Sequence, residues 1–205
     1  MTAFIVLEGG EGVGKSTQAE RLFQRLSEAG YRAVLTREPG GTPLGESLRW
    51  LLKRQPDVDA WSELFLILAA RAHLVRQVVR PALRRGEVVV CDRFASSTLV
   101  YQGWGRGLAV DFLGPLNDLA TEGISPDLTV LLDAPVEVGL ARRPPGEPDN
   151  FERESVDFHT RVREGYLALV EREPEKWLVV DATLPEEQVS AIIWERVSSL
   201  LRQDR

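Results

Sequence analysis

GGEGVGKS, at Gly9–Ser16, directly follows the apolar run FIVL at Phe4–Leu7, and this stretch decides the fold of the chain. Two glycines separated by four residues and followed by Lys and Ser form a phosphate-binding pattern, which needs a strand before it and a helix after it. The glycines allow several backbone N–H groups to converge on one anion, beside the positive end of the following helix. The stretch therefore predicts a loop that holds phosphates.

Two side chains of this loop and one acidic residue elsewhere are candidates for charge chemistry. Lys15 is expected to reach the outer phosphates, and the Ser16 hydroxyl is expected to ligate Mg²⁺. Asp92 follows the apolar run VVVC at Val88–Cys91 and is the second candidate Mg²⁺ ligand. Asp133 also ends an apolar run, and for it a magnesium role and a helix cap are both open.

Short apolar runs alternate with helical patterns along the whole chain, which is typical of a parallel sheet wrapped by helices. Strands are predicted at Ala3–Glu8, Arg32–Thr36, Glu87–Cys91, Leu128–Asp133 and Trp177–Asp181. Helices are predicted at Lys15–Ala29, Leu44–Leu52, Ala60–Arg85, Asp111–Glu122, Val136–Arg142, Glu152–Glu171 and Glu186–Arg202. We expect one α/β domain over residues 1–205, a P-loop NTPase-type three-layer fold whose five-stranded parallel sheet is flanked by helices.

Composition narrows the classes of protein to which the chain can belong. With 205 residues, of which 43% are hydrophobic, it can bury a sizeable core in one domain. The net charge of −6 argues against a general nucleic-acid binder. Cys91 is the single cysteine, so an internal disulfide and a cysteine-based metal site are excluded, and the two histidines are isolated. No apolar run approaches the length of about 20 residues that spans a bilayer, so a cytoplasmic protein without membrane contact is expected.

A proline-rich segment, RRPPGEPDN at residues 142–150, interrupts the helical patterns near the fourth strand. Its prolines cannot continue a helix, yet it begins with Arg142 and Arg143 and leads to Arg153. We expect a short lid at about residues 142–153 that brings arginines to a transferring phosphate and excludes water. An exposed loop with incidental arginines is the alternative.

Two helical faces carry further signals. Phe94, Ser97, Thr98 and Tyr101 recur at helical spacing, and they suggest a wall for a small polar ligand with a flat ring or, alternatively, an ordinary half-exposed helix. The long third helix has an apolar stripe that is interrupted by Arg71. Because an unpaired buried charge is costly, Arg71 must meet a carboxylate, reach water or face a ligand.

Several segments, in this order, resemble those of bacterial thymidylate kinases, and the similarity covers nearly the whole chain. They are FIVLEGGEGVGKS at Phe4–Ser16, TREPGGT at Thr36–Thr42, AAR at Ala69–Arg71, DRFASSTLVYQG at Asp92–Gly103, GRG at Gly105–Gly107, PDL at Pro126–Leu128 and FE at Phe151–Glu152. The resemblance implies an ATP-dependent dTMP kinase that makes dTDP for dTTP biosynthesis, uses Mg²⁺ with ATP and forms a homodimer.

The resemblance also implies roles for individual residues. Arg93 would grip the dTMP phosphate, Arg71 would meet the thymine O4 and Tyr101 would disfavour a 2′-hydroxyl. Ile67 stands where many relatives stack a Phe on the base. The residues implied in ATP binding are Gly9, Gly10, Glu11, Gly12, Val13, Gly14, Lys15, Ser16 and Thr17. Those implied in dTMP binding are Glu11, Arg37, Arg49, Ile67, Arg71, Arg93, Ser97, Thr98, Tyr101, Gln102 and Glu152. The catalytic residues would be Lys15, Arg93, Arg142, Arg143 and Arg153, and the metal ligands Ser16 and Asp92.

Three other functions are compatible with a phosphate loop. A kinase for another small acceptor, such as a deoxynucleoside, would use the same loop and the same Asp-Arg pair. A nucleotide-dependent switch would carry an Asn-Lys-x-Asp segment, which the sequence lacks. An ATP-binding structural module would bind the nucleotide without turnover.

Overall fold

The computed structural model describes residues 2–143 and 148–203. At its centre lies a sheet of strands β1 (Ala3–Gly9), β2 (Ala33–Arg37), β3 (Val88–Asp92), β4 (Leu128–Asp133) and β5 (Trp177–Asp181). All neighbouring strands are parallel, and their order across the sheet is β2-β3-β1-β4-β5. The predicted five-stranded parallel sheet is therefore confirmed, with strand bounds that differ by one residue at most.

Helices connect the strands and cover the sheet. They are α1 (Lys15–Glu28), α2 (Pro43–Arg54), α3 (Ala60–Leu74), α4 (Arg80–Arg84), α5 (Ala95–Thr98), α6 (Val110–Thr121), α7 (Val136–Ala141), α8 (Val156–Arg172) and α9 (Glu186–Gln203). π-Helical turns at Val75–Val79 and Leu99–Gly105 continue α3 and α5, and a 3-10 turn spans Pro174–Lys176. Within the described ranges, no helix combines the length and the apolar character that a membrane crossing requires.

Most helices agree with their predicted bounds to within two residues, and two differ by more. The helix predicted over Ala60–Arg85 consists of α3, a π-helical turn and α4, and Pro81 accounts for the interruption because it lacks an N–H and its ring collides with the preceding turn. The helix predicted at Glu152–Glu171 begins only at Val156, where the Ser155 hydroxyl accepts a bond from the Phe158 N–H at 3.2 Å. Of the expected lid, residues 144–147 lie outside the described residues.

Strand β1 occupies the middle of the sheet, and all seven of its residues are buried because helices cover both faces. Ile5 and Leu7 join the apolar core on the side of α1 and α9. Phe4 and Val6 alternate with them and join the core on the side of α3, its π-helical turn and α4. The arrangement is the predicted three-layer fold of P-loop NTPases.

The carboxyl ends of the parallel strands meet at one edge of the sheet. Strand β1 runs there into the loop at residues 10–14, β3 is followed by Arg93, and β4 ends at Asp133. The register places Leu7 of β1 beside Asp92 of β3. The strand order reverses beside β1, and open parallel sheets bind their ligands at such a switch point. The fold therefore brings the sequence-predicted polar groups to one place.

Candidate active site

The phosphate loop lies between β1 and α1, as predicted. Gly9 ends the strand, Gly14 precedes α1 with a φ of 91°, and Lys15, Ser16 and Thr17 form the first turn of the helix. A φ in this range is readily adopted only by glycine, and it turns the backbone so that the free N–H groups of the helix N-terminus face the loop. The positive end of α1 is thus available to an anion.

Lys15 is a buried cation folded back over the loop. Its Nζ donates to the carbonyl oxygen of Gly10 at 2.5 Å, and the residue is 7% exposed. Burial lowers the pKa of the Lys15 ammonium to about 8, and the charge of Arg93 adds to this shift while Glu11 opposes it. A carbonyl is a weaker partner for an ammonium than a phosphate, so an incoming phosphate can replace it.

Ser16 and Asp92, the two predicted metal ligands, lie in contact. The Ser16 hydroxyl donates to Oδ2 of Asp92 at 2.5 Å, whereas the buried Oδ1 of Asp92 has no hydrogen-bond partner among the described residues. A buried carboxylate oxygen without a donor is costly, and a cation relieves that cost. Mg²⁺ commonly takes one or two carboxylates together with substrate phosphates, so this donor set fits it. Residues 2–143 and 148–203 hold no group of three or more His, Cys, Asp or Glu that could bind a metal by themselves.

An open pocket lies next to the loop, and most of the predicted dTMP-binding residues line it. The predicted residues in its wall are Glu11, Arg49, Ile67, Arg71, Arg93, Ser97, Thr98, Tyr101 and Gln102. Five residues outside the predicted set also line it, namely Glu38, Pro39, Lys53, Asp149 and Phe151. We refer to this cavity as the acceptor pocket.

Arg93 joins the acceptor pocket to the phosphate loop. It follows β3 with a φ of 70°, an uncommon left-handed conformation for an arginine. Its guanidinium donates to Oε1 of Glu11 at 2.5 Å and to the carbonyl oxygen of Gly9 at 3.1 Å, both of which belong to the loop region. It also lies 4.7 Å above the centre of the Tyr101 ring. One cation therefore contacts both sites.

Glu11 is the counter-ion of this cation. Its Oε1 also accepts a bond from the Tyr101 hydroxyl at 2.7 Å. Burial by itself raises the pKa of Glu11, but the charges of Arg93 and Lys15 outweigh it and lower the pKa to about 2. Glu11 is consequently ionised at neutral pH and balances two buried cations at the mouth of the pocket.

Arg71 meets a carboxylate at the inner end of the acceptor pocket. The residue is 1% exposed, and its Nε donates to Oε2 of Glu38 at 2.7 Å. Its other donors bind the Thr98 hydroxyl at 2.7 Å, Oδ1 of Asn117 at 2.6 Å and the carbonyl oxygen of Phe94 at 3.0 Å. Of the three alternatives for Arg71, the structure shows the ion pair, and it places the paired arginine in the wall of the pocket.

The partner of Arg71 keeps one oxygen free. Oε1 of Glu38 is buried and has no hydrogen-bond partner among the described residues. Burial raises the pKa of the Glu38 carboxyl, although Arg71 opposes this shift. The pocket wall thus contains a carboxyl paired with a guanidinium, two groups that can bind the polar edge of a flat ring.

Ser97 and Gln102 are held by carboxylates that sequence reasoning did not include in the site. The buried Glu8 accepts bonds from the Ser97 hydroxyl and the Tyr166 hydroxyl, each at 2.7 Å. Gln102 donates to Glu63 at 2.8 Å. Neither interaction has a local sequence signal, because the partners come from distant parts of the chain. Both side chains line the pocket, and carboxylates that do not themselves line it hold them in position.

Two predicted dTMP-binding residues lie outside the pocket wall. Arg37 pairs with Glu46 at 2.9 Å and borders a neighbouring groove that also contains Ser16 and Asp92. Glu152 accepts a bond from the Asp149 N–H at 2.9 Å. Arg49, in contrast, lines the pocket and donates to the carbonyl oxygen of Pro39 at 3.0 Å.

The three predicted lid arginines lie at the two described ends of that segment. Arg142 donates to the carbonyl oxygen of Ala182 at 2.7 Å, and Arg143 donates to the carbonyl oxygens of Glu152 and Leu140. The N–H of Arg153 donates to the carbonyl oxygen of Asp149 at 3.0 Å. Their role at a transferring phosphate stays a prediction.

Helix α7, which leads to Arg142, touches the back of the phosphate loop through two glycines. A Cβ at Gly139 would collide with the carbonyl oxygen of Glu11, and a Cβ at Gly12 would collide with the carbonyl oxygen of Gly139. The φ of Gly12 is also in the left-handed range, at 69°. The loop and α7 can therefore approach backbone to backbone only because both positions are glycine.

Comparisons with known proteins agree with this geometry. The family model described as thymidylate kinase matches residues 7–193. A thymidylate kinase of Thermomicrobium roseum is 50% identical over 208 residues, which cover 100% of this chain and 99% of the relative. A thymidylate kinase of Deinococcus radiodurans is 50% identical over 95% of this chain and 96% of the relative. The crystal structure of thymidylate kinase from Ehrlichia chaffeensis superimposes with a TM-score of 0.80 at 33% identity, over 96% of this chain and 98% of that one.

Substitution of Gly139 by Ala should weaken nucleotide binding at the loop. The added methyl group has to displace the backbone at Glu11, and overpacking of this kind costs about 1 to 3 kcal/mol. We expect the Kd for ATP, measured by calorimetry, to rise by about 30-fold, which corresponds to about 2 kcal/mol, the middle of that range. Gly114→Ala on α6 is the matched control, because its Cβ meets nothing within 4 Å, and it should leave the Kd unchanged. Equal affinities in the two variants would show that the glycine contact does not shape the loop.

Proposed function

The chain belongs to the thymidylate kinase family, and from this premise we propose that it transfers the γ-phosphoryl group of Mg-ATP to dTMP and forms dTDP. The observation that carries the proposal is the contact of Arg93 with both Gly9 and Glu11. It places the cation of the acceptor pocket directly against the loop that would hold the donor phosphates. Phosphoryl transfer requires two such anion sites side by side.

On the donor side, the backbone N–H groups of the loop and of the first turn of α1 bind the ATP phosphates. Lys15 exchanges the carbonyl of Gly10 for an outer phosphate oxygen, which forms a stronger, charge-assisted bond. Ser16 and Asp92 would hold Mg²⁺, which when bound neutralises charge on the phosphates. The fixed glycine conformations keep these groups in place before the nucleotide arrives.

On the acceptor side, the phosphate of dTMP competes with Glu11 for Arg93. Once released, the Glu11 carboxylate can accept a bond from the sugar 3′-hydroxyl. The thymine lies deeper in the pocket, where Arg71 exchanges one of its present partners for the thymine O4 and Glu38 lies beside the polar edge of the base. Ile67 and Phe151 supply the apolar part of the pocket wall.

The reaction itself needs positioning and charge neutralisation more than proton transfer. The attacking oxygen of dTMP already belongs to an anionic phosphate, so no strong base is required. Two phosphate groups that repel each other must be brought in line, and Lys15 and Arg93 reduce that repulsion at the two ends. Their burial strengthens this effect, because electrostatic interactions are stronger where the effective dielectric constant is lower than that of water.

Removal of either buried cation should abolish most of the activity without unfolding the protein. For Lys15→Ala and Arg93→Ala we expect kcat/KM for dTMP phosphorylation to fall by about 100-fold or more, as for other lost transition-state contacts. A coupled assay measures the formation of dTDP from dTMP. Thymidine, which lacks the acceptor phosphate, serves as the comparison substrate. The exposed Lys176→Ala and Arg32→Ala are matched controls. Near-normal turnover in either buried-site variant, or phosphorylation of thymidine in preference to dTMP, would contradict the proposal.

The lowered pKa of Lys15 predicts how catalysis depends on pH. In the free enzyme the ammonium loses its proton as the pH rises through about 8, and a neutral amine no longer attracts phosphate. We therefore expect kcat/KM for ATP, which reports groups of the free enzyme, to decline above about pH 8. The decline in kcat should begin at a higher pH, because bound phosphates stabilise the ammonium. A profile of kcat/KM that stays flat up to pH 10 would show that Lys15 is not the titrating group.

We further propose that two copies of the chain associate through the face formed by α3 and α6. These helices pack together, and large apolar side chains on their outer sides are exposed, with exposed fractions of 56% for Phe65, 66% for Phe112 and 77% for Leu119. A second copy would cover this apolar surface.

Introduction of charge on this face should separate the proposed dimer. Phe65→Asp combined with Phe112→Asp is expected to shift the protein from dimer to monomer in sedimentation equilibrium, because a buried unpaired carboxylate is costly in an interface. Val156→Asp on α8, also half-exposed, is the control and should remain dimeric. A monomeric wild-type protein, or a double variant that stays dimeric, would exclude this interface.

A further inference from the structure

His159 is a buried titratable residue that the proposed reaction does not use. It lies on α8, is 4% exposed, and neither of its ring nitrogens has a hydrogen-bond partner within the part of the chain that the structure describes. Each buried polar group without a partner costs about 1 to 3 kcal/mol. A phenylalanine would fill the same space without that cost, so the imidazole requires an explanation beyond packing.

The ring borders a small cavity behind the phosphate loop, with about 20 Å³ of space for water. Gly10, Glu11 and Val13 of the loop line one side of this cavity, and α7 lines it through Gly139. Its other lining residues belong to β4, α7 and α8 and the segment between β4 and α7, whereas α3 contributes to the acceptor pocket. This is the region where α7 touches the loop backbone, so a group placed here acts on the shape of the loop.

The other polar side chains of this cavity already have partners. The carboxylate of Asp133 accepts two bonds from Arg163, at 2.7 and 2.8 Å. The hydroxyl of Tyr166 donates to Glu8 at 2.7 Å. The remaining polar surface that the ring can address is main chain, above all that of Gly10 and Glu11. A cavity of this size has room for a water molecule, which typically makes about three hydrogen bonds to buried polar groups.

Charges from several elements face the imidazole. Glu11 of the loop and Glu154, which precedes α8, attract a proton to it, whereas Arg143 beyond α7 and Arg93 beyond β3 oppose protonation. Burial is the largest effect and lowers the pKa of His159 below its ordinary value. The ring is therefore neutral at pH 7, with one nitrogen as donor and the other as acceptor. A neutral imidazole can bridge a water molecule and a backbone group, which a charged ring with two donors cannot do equally well.

We propose that His159 is a positioning residue of the phosphate loop, which its ring holds through a water molecule bound in this cavity to the main chain of Gly10 and Glu11. The inference rests on the proposed function, in which this loop binds ATP. It assigns to His159 no contact with either nucleotide. Its effect reaches the donor site through the backbone of Gly10 and Glu11, and it reaches the dTMP pocket only indirectly, through the side chain of Glu11 in the pocket wall.

Two variants of His159 separate this role from a structural one. His159→Phe retains a flat ring and removes both nitrogens, whereas His159→Gln retains a donor and an acceptor. We expect the Kd for ATP, measured by calorimetry, to rise about tenfold in the Phe variant and at most about threefold in the Gln variant. The Kd for dTMP should rise clearly less than the Kd for ATP in both, because only Glu11 is shared with the dTMP pocket. The Tm of the Phe variant should equal or exceed that of the wild type, because the phenylalanine ring fills the same buried space and has no nitrogens that need hydrogen-bond partners.

His73→Phe on α3 is the matched control, since that ring already contacts the Thr42 hydroxyl at 3.1 Å and lies away from the loop cavity. It should leave the Kd for ATP unchanged.

Wild-type affinity for ATP in His159→Phe would overturn the proposal, and so would an equal loss of affinity for ATP and dTMP accompanied by a lower Tm. Because the readout is binding of ATP, a wild-type protein that binds ATP but fails to phosphorylate dTMP would refute the proposed function and leave this test intact.

A measurement on the unmodified protein covers the case in which the Phe variant fails to fold. The ring nitrogens of ¹⁵N-labelled wild-type protein report protonation and hydrogen bonding at His159. We expect the signals of a neutral, hydrogen-bonded ring at pH 7, and these signals should shift when ATP is added. Signals that are indifferent to ATP would overturn the proposal.

Discussion

The ion pair between Arg93 and Glu11 connects the two halves of the site. Glu11 belongs to the loop that follows β1, and Arg93 follows β3, so their contact depends on the parallel pairing of these two strands. The Arg93 N–H also donates to the carbonyl oxygen of Leu7 at 2.9 Å, which extends the pairing by one residue beyond the strand. A change in the register of β1 and β3 would move the acceptor cation away from the donor loop. The sheet therefore determines the distance across which a phosphoryl group would travel.

Buried carboxylates hold the side chains of the site in position by hydrogen bonds. Glu8 holds Ser97 and Tyr166, Glu38 holds Arg71, and Glu63 holds Gln102 and Arg106. Buried charges are tolerated only when they are paired and hydrogen-bonded, so each carboxylate restricts the side chain that it binds to one orientation. The walls of the acceptor pocket are thus fixed before a nucleotide enters, and this limits the reorganisation that binding and transfer require.

Much of this arrangement follows from local features of the sequence. Runs of apolar residues define the five strands, and the glycine spacing defines the phosphate loop, because both patterns depend only on neighbouring residues. Helix bounds were less predictable: the Ser155 cap and Pro81 change where helices begin and how they continue. The DRFASSTLVYQG segment led to five residues of the pocket wall through resemblance to a family, whereas TREPGGT led to Arg37, which lies outside that wall. The partners of those residues could not be inferred, since Arg71 and Glu38 are 33 positions apart and Tyr166 and Glu8 are 158 apart.

A crystal structure with dTMP and a non-hydrolysable ATP analogue tests the central claim most directly. The account predicts that the γ-phosphate analogue lies in the loop at Lys15 and that the dTMP phosphate lies on Arg93, with Glu11 released from its ion pair. The thymine should lie in the acceptor pocket beside Arg71. A dTMP molecule bound outside that pocket, or one whose phosphate has no contact with Arg93, would contradict it.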